Sequence, residues 1–578
     1  MKKTTCPLDC YDACSIVLKD KLRGDKDHPV TKGHLCYKMN HYYNFPQLDS
    51  AYYKGEKISL NDALDILEER LKKCEPKKVL HFRGSGNFGK MQAITDLFFA
   101  RYGAVLTAGS LCDAAGQLGI EEGRGKNLIL PTTQIQKSEL VIVWGRNITS
   151  TNSHILPFLN GKTVVVIDPV KTDIAKRAAM HLQIRPRTDL ELACILARFV
   201  YMQNTEDENF IEERTEDYEF FADFIKTYRM VPTVDKIGVD ILEIATLAEL
   251  MQSMKTVILV GNGVQKYSHG TEVVRMIDSL AAMLGLFGKE GCGVSFLGDT
   301  SVELNDPLKV EAKRVQKAVA DFGEFDISFI QGSNPVITMP NSKRVIEGLE
   351  KSFTVVFGIY MDETAKMADL VIPAKNFLQK NDIRFSYGHE YAGLMPKIED
   401  NQNAISEYEF TKEMFKRFGF DGLKSEEEYI KEYEKQLIKD GEYYKLPSFE
   451  DIPYSEEFYT DAGLFCFIDE VDDEFNYEEE GFYLITPKCK TSLNSQFKRD
   501  NFLYVHPSTL LKDGDKVLVT SSYGEAEFEV RVREELREDS VLAYSGNEKV
   551  NFLTPPKTDN YGNNAVFQEV KVKIRKVG

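Results

Sequence analysis

Long apolar runs are missing from this chain. None of about eighteen residues occurs, so no hydropathic membrane span is expected. A basic surplus is missing too. The net charge is −18, which argues against nucleic acid as a partner, because phosphate binding needs a basic surface. A local basic cleft for a phosphorylated cofactor stays compatible with that balance. The opening MKKTTCPLD has no apolar h-region and no twin arginine, so the expectation is a cytoplasmic protein with reduced thiols. No internal repeat and no low-complexity tract is visible. A length of 578 residues implies several domains, and 43% hydrophobic content is ordinary for a protein with sizeable cores.

Ten cysteines are present, and six of them stand alone. The other four, Cys6, Cys10, Cys14 and Cys36, follow the spacing C-x3-C-x3-C-x21-C. Three thiolates so close in sequence can converge only if the backbone curls around one point, with the fourth closing the site from a distance. Such an arrangement suits an iron–sulfur cube, each corner of which needs one thiolate. Zinc with four thiolates and plain unligated thiols remain alternatives, although zinc ribbons usually show two tight C-x2-C knuckles.

Farther along, SLNDALDILEERLKK reads as a helix capped by Ser59, with Leu60, Leu64, Leu67 and Leu71 on one face. Short apolar runs then alternate with helical segments. VLHF, LVIVW, TVVVID, TVILVG, DISFIQG and FTVVFG end in or near Gly, Asn or Asp, the pattern of parallel sheets with crossover helices. Their exits matter because open α/β sheets bind ligands at strand carboxyl ends. A helix is expected from about Met91 to Tyr102. Between about 401 and 480 the chain is acidic and aromatic, and SEEEYIKEYEKQLIKDGEYY reads as solvated helices. After Gly481, alternating β-branched runs with a tight Asp513-Gly514-Asp515 turn predict a carboxyl-terminal β-barrel. Gly84-Ser85-Gly86-Asn87-Phe88-Gly89 is a literal G-x-G-x-x-G between strand and helix. It admits a nicotinamide or flavin dinucleotide site or simply a turn that needs small residues. The acid at the right distance, Asp113, sits in a Gly/Ala loop rather than at a strand end.

Taken in order, CPLDCYDAC…LCYK, RGSGN, SLCDAAG, VWGRN, IDPVKTDIAKRA, IRPRTD, GNGVQ, GSNP, DETAKMADLVIPA, ITPKCKTSLNSQF and NFLTPP resemble the molybdopterin oxidoreductases of the dimethyl sulfoxide reductase superfamily over essentially the whole chain. The resemblance implies one 4Fe-4S cluster on Cys6, Cys10, Cys14 and Cys36, and molybdenum or tungsten held by two molybdopterin guanine dinucleotides. Lys38 matches the lysine between cluster and pterin. Cys112 matches the position that supplies the metal's protein ligand, flanked by Ala114, Ala115 and Gly116, whose small size would admit a bulky cofactor. The implied cofactor contacts are Gly84, Ser85, Gly86, Asn87, Gly145, Asn147, Asp168, Pro169, Arg187, Thr188 and Asp189, with Asn334, Pro335 and Thr364 for the other dinucleotide, and Thr486, Lys488, Ser495, Gln496 and Asn551 from the barrel.

The pattern also departs from its relatives. Formate dehydrogenases of the superfamily carry a histidine directly after the ligating residue, where this chain has Asp113. That acid could relay a proton but would repel an anion, so a neutral substrate is expected over formate. The family's arginine near the Asn-Pro is not evident in QGSNP. The expected architecture is a multidomain α/β chain. Its units are a cluster segment at 1–48, possibly completed by 390–477; one cofactor unit at 49–135 with 325–389; another at 136–324; and the barrel at 478–578. The expected function is two-electron oxidoreduction of a small molecule, with a separate electron-transfer protein or iron–sulfur subunit as partner. Alternatives are an electron-transfer or scaffold subunit without metallopterin, a non-redox metallopterin hydratase, and a nicotinamide dehydrogenase.

Overall fold

The computed structural model describes residues 2–472, 479–562 and 564–577. Two open sheets form its centre. The first is fully parallel and five-stranded, in the order Met180–Leu182, Thr163–Ile167, Leu140–Trp144, Thr256–Val260, Gly293–Ser295. Successive residues of its strands face opposite cores. Leu140, Ile142 and Trp144 join one with the helices Asp189–Gln203 and Gly270–Met283. Val141 and Val143 join the other with Ile148, Ile155 and Phe158. Both faces are covered, which is why these strands read as unbroken apolar runs.

The second sheet has eight strands, ordered Arg314–Gln316, Val105–Ala108, Val79–Arg83, Ile327–Gln331, Phe353–Gly358, Leu370–Pro373, Ala51–Tyr53, Glu56–Ile58. The first six are parallel and the last two form an antiparallel edge. Helix Leu60–Lys73 packs Leu64, Leu67 and Leu71 against it, and the Ser59 side chain accepts the Asp62 N–H at 3.1 Å. The strand at 314–316 belongs to this sheet although its sequence lies next to the five-stranded one.

Strands Phe482–Ile485, Ser540–Leu542, Phe502–Val505, Glu525–Val532, Lys516–Thr520 and Lys571–Lys576 close a six-stranded barrel, with Gly514 at φ +87° in the turn before Lys516. The boundary expected at 477/478 falls outside the described residues. The amino-terminal strands Lys2–Thr5, Ser15–Leu18 and Leu22–Gly24 form a small antiparallel sheet. It lies against the four-stranded sheet of Asp382–Phe385, Tyr391–Met395, Tyr443–Lys445 and Ile438–Asp440. There, a Cβ on Gly393 would meet Thr5 Oγ1 at 1.9 Å, and the Tyr443 hydroxyl donates to Asp25 Oδ2 at 2.9 Å. Phe465–Cys466 instead pairs with Thr215–Glu216.

Two local expectations are corrected. The segment at 91–102 is a 3-10 turn over Lys90–Ile94 followed by helix Thr95–Tyr102. Asp382 Oδ1 accepts the Met91 N–H at 2.9 Å and Gln92 Nε2 donates to the Gly84 carbonyl at 2.8 Å, which pins the first turn. The acidic tract is not all solvated helix. After helix Glu426–Glu434, with Tyr429 and Tyr433 buried, the chain folds into a hairpin of Ile438–Asp440 and Tyr443–Lys445 around Gly441 at φ +61°.

A buried ion pair clasps the segment entering the last barrel strand to the first sheet. Arg187 Nε and Nη2 reach Glu569 Oε2 at 3.2 and 3.1 Å, Ser268 donates to the same oxygen, and Lys557 Nζ lies 2.6 Å from Oε1. Burial raises the Glu569 carboxyl, but Arg187, Lys557 and Ser268 outweigh it and hold the group at about 2, below its ordinary 4.5. A carboxyl whose folded value is depressed stabilises fully above its unfolded value and loses that contribution as pH falls through the folded one. Glu569→Gln is therefore expected to cost about 3 kcal/mol near neutrality. The thermal-midpoint gap from the parent should persist above about pH 4.5 and shrink toward pH 2. A gap independent of pH would contradict the assignment.

Candidate active site and cofactor cavity

In an open parallel sheet, the loops leaving two neighbouring strands in opposite directions frame a crevice. The first sheet has this reversal between Leu140–Trp144 and Thr256–Val260, whose exits are Gly145-Arg146-Asn147 and Gly261-Asn262-Gly263. The second has it between Val79–Arg83 and Ile327–Gln331, whose exits are Gly84-Ser85-Gly86-Asn87 and Gly332-Ser333-Asn334. All four loops line one cavity of about 1150 Å3, with the barrel supplying a further wall.

Backbone contact requires glycine here. A Cβ on Gly86 would meet the Gly332 carbonyl oxygen at 2.5 Å, and one on Gly261 would meet the Gly145 oxygen at 2.2 Å. Gly86 N–H donates to Gly332 O, and Gly261 N–H to Trp144 O, both at 2.8 Å. No internal repeat is visible in the sequence, yet the two sheets build the same device. Gly145 and Gly332 are left-handed at φ +58° and +54°, and Asn147 and Asn334 each open a four-residue helix. In each sheet the neighbouring strand leads to an aspartate on the cavity wall, Asp168 or Asp362. Asp168 Oδ1 accepts the Val170 N–H at 2.8 Å and Asp362 Oδ1 the Ala365 N–H at 2.9 Å. Burial pushes each carboxyl up to about 7. The cavity thus has two equivalent arms. Although the chain is acidic overall, lysines and arginines outnumber acids along this wall, among them Lys171, Lys176, Lys366, Arg499 and Arg533.

Cys112 lies on the wall just before helix Ala114–Arg124. Asn262 Nδ2 donates to its Sγ at 2.8 Å, while Gln265 Nε2 and Lys266 Nζ donate to its carbonyl at 2.6 and 2.8 Å. Burial pushes the thiol up to about 11 against the pull of Lys266, and burial also brings Lys266 down to about 8. The small residues after Cys112 have a different task from the one expected. Gly116 is needed because a Cβ would meet Phe296 at 2.6 Å, and Gly119 because one would meet the Thr271 carbonyl at 2.4 Å, so they serve packing against the 270–283 helix and its surroundings. Asp113 is off the main cavity and lines a second, smaller chamber. Its Oδ1 accepts the Ser110 hydroxyl at 2.7 Å.

The amino-terminal thiols share one loop. Cys6 N–H donates to Cys14 O and Cys10 N–H to Leu8 O, both at 2.9 Å, so the backbone curls between them. Burial raises the Cys6, Cys10 and Cys14 thiols, and the neighbouring cysteines raise them further. His154 Nε2 stands 3.6 Å from Cys14 Sγ, its Nδ1 lying 2.7 Å from Asp12 Oδ2. Cys10 and Lys38 both line the cavity, Lys38 Nζ reaching the Lys490 carbonyl at 3.4 Å.

Of the other residues singled out from the sequence, Gly84, Ser85, Gly86, Asn87, Gly145, Asn147, Asp168, Pro169, Asp189, Asn334, Thr486, Lys488, Ser495, Gln496 and Asn551 all line the cavity. Arg187, Thr188, Pro335 and Thr364 do not. Arg187 is engaged by Glu569, Thr188 Oγ1 donates to the Arg185 carbonyl, and Thr364 Oγ1 donates to Asn334 Oδ1 at 2.7 Å, fixing that side chain. Asp362, two residues before Thr364, is on the wall and was not singled out, nor were Asn262 and Lys266. The Gly-Asn-Gly after TVILV was their sequence signal. A nicotinamide or flavin dinucleotide seated on the Gly-rich loop is disfavoured: Asp382 takes the Met91 amide, and Gly84 and Gly86 press against Gly332–Ser333.

Two doubly wound sheets sharing one cation-lined cavity under a barrel define a multidomain α/β enzyme built around a large cofactor. The chain belongs to the molybdopterin oxidoreductase family: residues 54–417 match the model "Molybdopterin oxidoreductase" and residues 482–571 the "Molydopterin dinucleotide binding domain". It is 28% identical to the probable oxidoreductase YoaE of Bacillus subtilis, covering 100% of this chain and 98% of that protein. It is 24% identical to F420-dependent formate dehydrogenase 2 subunit alpha of Methanococcus maripaludis, covering 99% of each. The fold matches acetylene hydratase from Pelobacter acetylenicus with TM-score 0.82 and 15% identity over 100% of both chains. Among the described residues, no helix is long and apolar enough to cross a membrane.

The paired glycines give a ranked test. Alanine at either left-handed site costs about 1–2 kcal/mol of backbone strain. At Gly145 its Cβ would also meet Val264 Cγ1 at 2.7 Å, whereas at Gly332 the nearest atom is 3.4 Å away. Gly145→Ala is expected to lower the thermal midpoint more than Gly332→Ala, and the reverse order would contradict the geometry.

Proposed function

We propose that this protein performs two-electron chemistry on a small molecule at molybdenum or tungsten, with electrons relayed through one 4Fe-4S cluster. The observation that carries the reading is the cavity that joins a half-buried thiol, two equivalent cationic arms and the edge of a four-cysteine loop. Two molybdopterin guanine dinucleotides would be held by Asp168 and Asp189 in one arm and by Asp362 and Asn334 in the other. The largely desolvated carboxyls there suit the N–H donors of a guanine edge, and the lysines and arginines suit pyrophosphate. Bound there, the metal would supply a centre that changes oxidation state by two.

Cys112 would provide the protein thiolate. Asn262 Nδ2 and the nearby Lys266 ammonium favour the charged sulfur. Asp113, bonded to Ser110, would hold or pass a proton at its carboxyl. Cys6, Cys10, Cys14 and Cys36 would hold the cluster, and the backbone that curls between Cys6 and Cys14 supports a shared site there. Lys38 would stand between cluster and pterin. Such thiolates suit a reducing compartment, so the same reading puts the protein in the cytoplasm. One cluster leaves electrons needing an exit, so a ferredoxin-like subunit or soluble carrier would dock near the amino-terminal loop. The units 1–48, possibly completed by 390–477, 49–135 with 325–389, 136–324 and 478–578 would be the working division, with strand 314–316 joining the eight-stranded sheet and 465–466 pairing with 215–216.

Cys112→Ala is expected to abolish turnover while leaving the iron–sulfur absorption intact, and Cys14→Ala to remove that absorption. Unchanged turnover in the first variant would eliminate Cys112 as ligand. Full absorption in the second would eliminate the cluster assignment.

A further inference from the structure

The loop that leaves strand Leu140–Trp144 serves both the cofactor cavity and the amino-terminal thiol loop. Arg146 lines the cavity, while Asn152 and His154, farther along, reach Asp12 and Cys14. The His154 side chain is 1% exposed. Its Nε2 lies 3.2 Å from the His34 carbonyl oxygen and 3.6 Å from Cys14 Sγ. A carbonyl only accepts, so Nε2 carries a hydrogen, and that hydrogen also faces the sulfur. Nδ1 lies 2.7 Å from Asp12 Oδ2, which fixes the ring from its other side. Among the described residues, Cys14 is the one thiol of the four with a side-chain hydrogen-bond partner.

Asp12 is fixed in turn. Asn152 Nδ2 donates to its Oδ1 at 2.6 Å, and His389 Nε2 donates to its carbonyl at 2.7 Å. Asn152 Oδ1 accepts from Arg146 Nη2 at 2.5 Å, and the Arg146 guanidinium lies over the Tyr11 ring at 3.9 Å. Arginine only donates and a carboxylate only accepts, so the Asn152 amide has one orientation that satisfies both. An unbroken chain thus runs from Cys14 through His154, Asp12 and Asn152 to Arg146 on the cavity wall. All four residues after Cys14 are less than a tenth exposed. Such a chain holds one geometry, because a displaced member would leave its partner buried and unpaired.

Hydrogen bonds to cluster sulfurs are among the factors that set an iron–sulfur potential, and a donor there favours the more negative, reduced state. Resting on the reading of Cys6, Cys10, Cys14 and Cys36 as cluster ligands, we propose that His154 raises the cluster's reduction potential through Cys14, and that Asp12 and Asn152 are positioning residues that aim it from the cavity wall.

The test is an anaerobic redox titration of the holoenzyme, followed by electron paramagnetic resonance of the reduced cluster. His154→Leu is expected to lower the midpoint by at least a tenfold change in the one-electron equilibrium constant, about 59 mV, at unchanged iron content. His154→Gln keeps an N–H donor and should recover most of that loss. Asn152→Ala should lower the midpoint by less, and the double variant with His154→Leu should match His154→Leu alone, because Asn152 acts through the imidazole. A parental midpoint in either single variant, or shifts that add in the double, would overturn the proposal. If His154→Leu loses its iron, the Asn152→Ala midpoint decides, a lowered value in favour and a parental one against. Parent protein without iron and labile sulfide would sink the cluster reading itself. A cluster whose midpoint ignores His154 would sink the tuning and leave that reading standing.

Discussion

The site depends on backbone touching backbone at the carboxyl ends of two parallel sheets. Gly86 meets Gly332, and Gly261 meets Gly145, at separations no side chain allows. Those contacts hold the switch-point loops of each sheet together, so that the loops flank one space. Cys112 and the Asn262–Lys266 turn sit where the loops converge, and the thiol loop reaches the same wall through Cys10.

Charge follows the same plan. A chain of net charge −18 reserves cations for its interior cavity and spends its acids largely outside it. The carboxyls retained inside are placed with purpose. Asp168 and Asp362 stand at matching strand exits, desolvated and bonded to local amides, while Glu363 ties Asn334 to Arg499 across the barrel interface. Burial raises Glu363, but Arg499 and Asn334 more than reverse that and hold it at about 2. The arms are thereby alike in backbone and differ in side chain, which suits two copies of one cofactor that need not play identical parts.

Much of this was legible in the sequence where the physics is local. An apolar run ending in Gly-x-Asn announces a buried strand and a ligand-facing turn, and Gly145, Asn147 and Asn334 follow. Legibility failed where a distant partner decides. Arg187 sits in a motif beside Asp189, yet Glu569, hundreds of residues away, claims its guanidinium and turns it from the cavity. Thr364 stood out in DETAKMAD, but it supports Asn334 while Asp362 faces the cavity. The small residues after Cys112 suggested room for a cofactor, whereas their neighbours are Phe296 and the 270–283 helix. The Tyr443–Lys445 hairpin was hidden in a helix-like acidic tract because contact with Asp25, not propensity, fixes it. Equivalence of the two arms was invisible because it lives in φ angles and strand order.

The central claim is that four thiols and one cavity together hold an iron–sulfur cube and a metallopterin. The direct measurement is iron, acid-labile sulfide, molybdenum, tungsten and pterin analysis of protein purified without oxygen. About four irons with matching sulfide, together with one molybdenum or tungsten and its pterin, is the predicted composition. A colourless protein carrying zinc and no labile sulfide would contradict it.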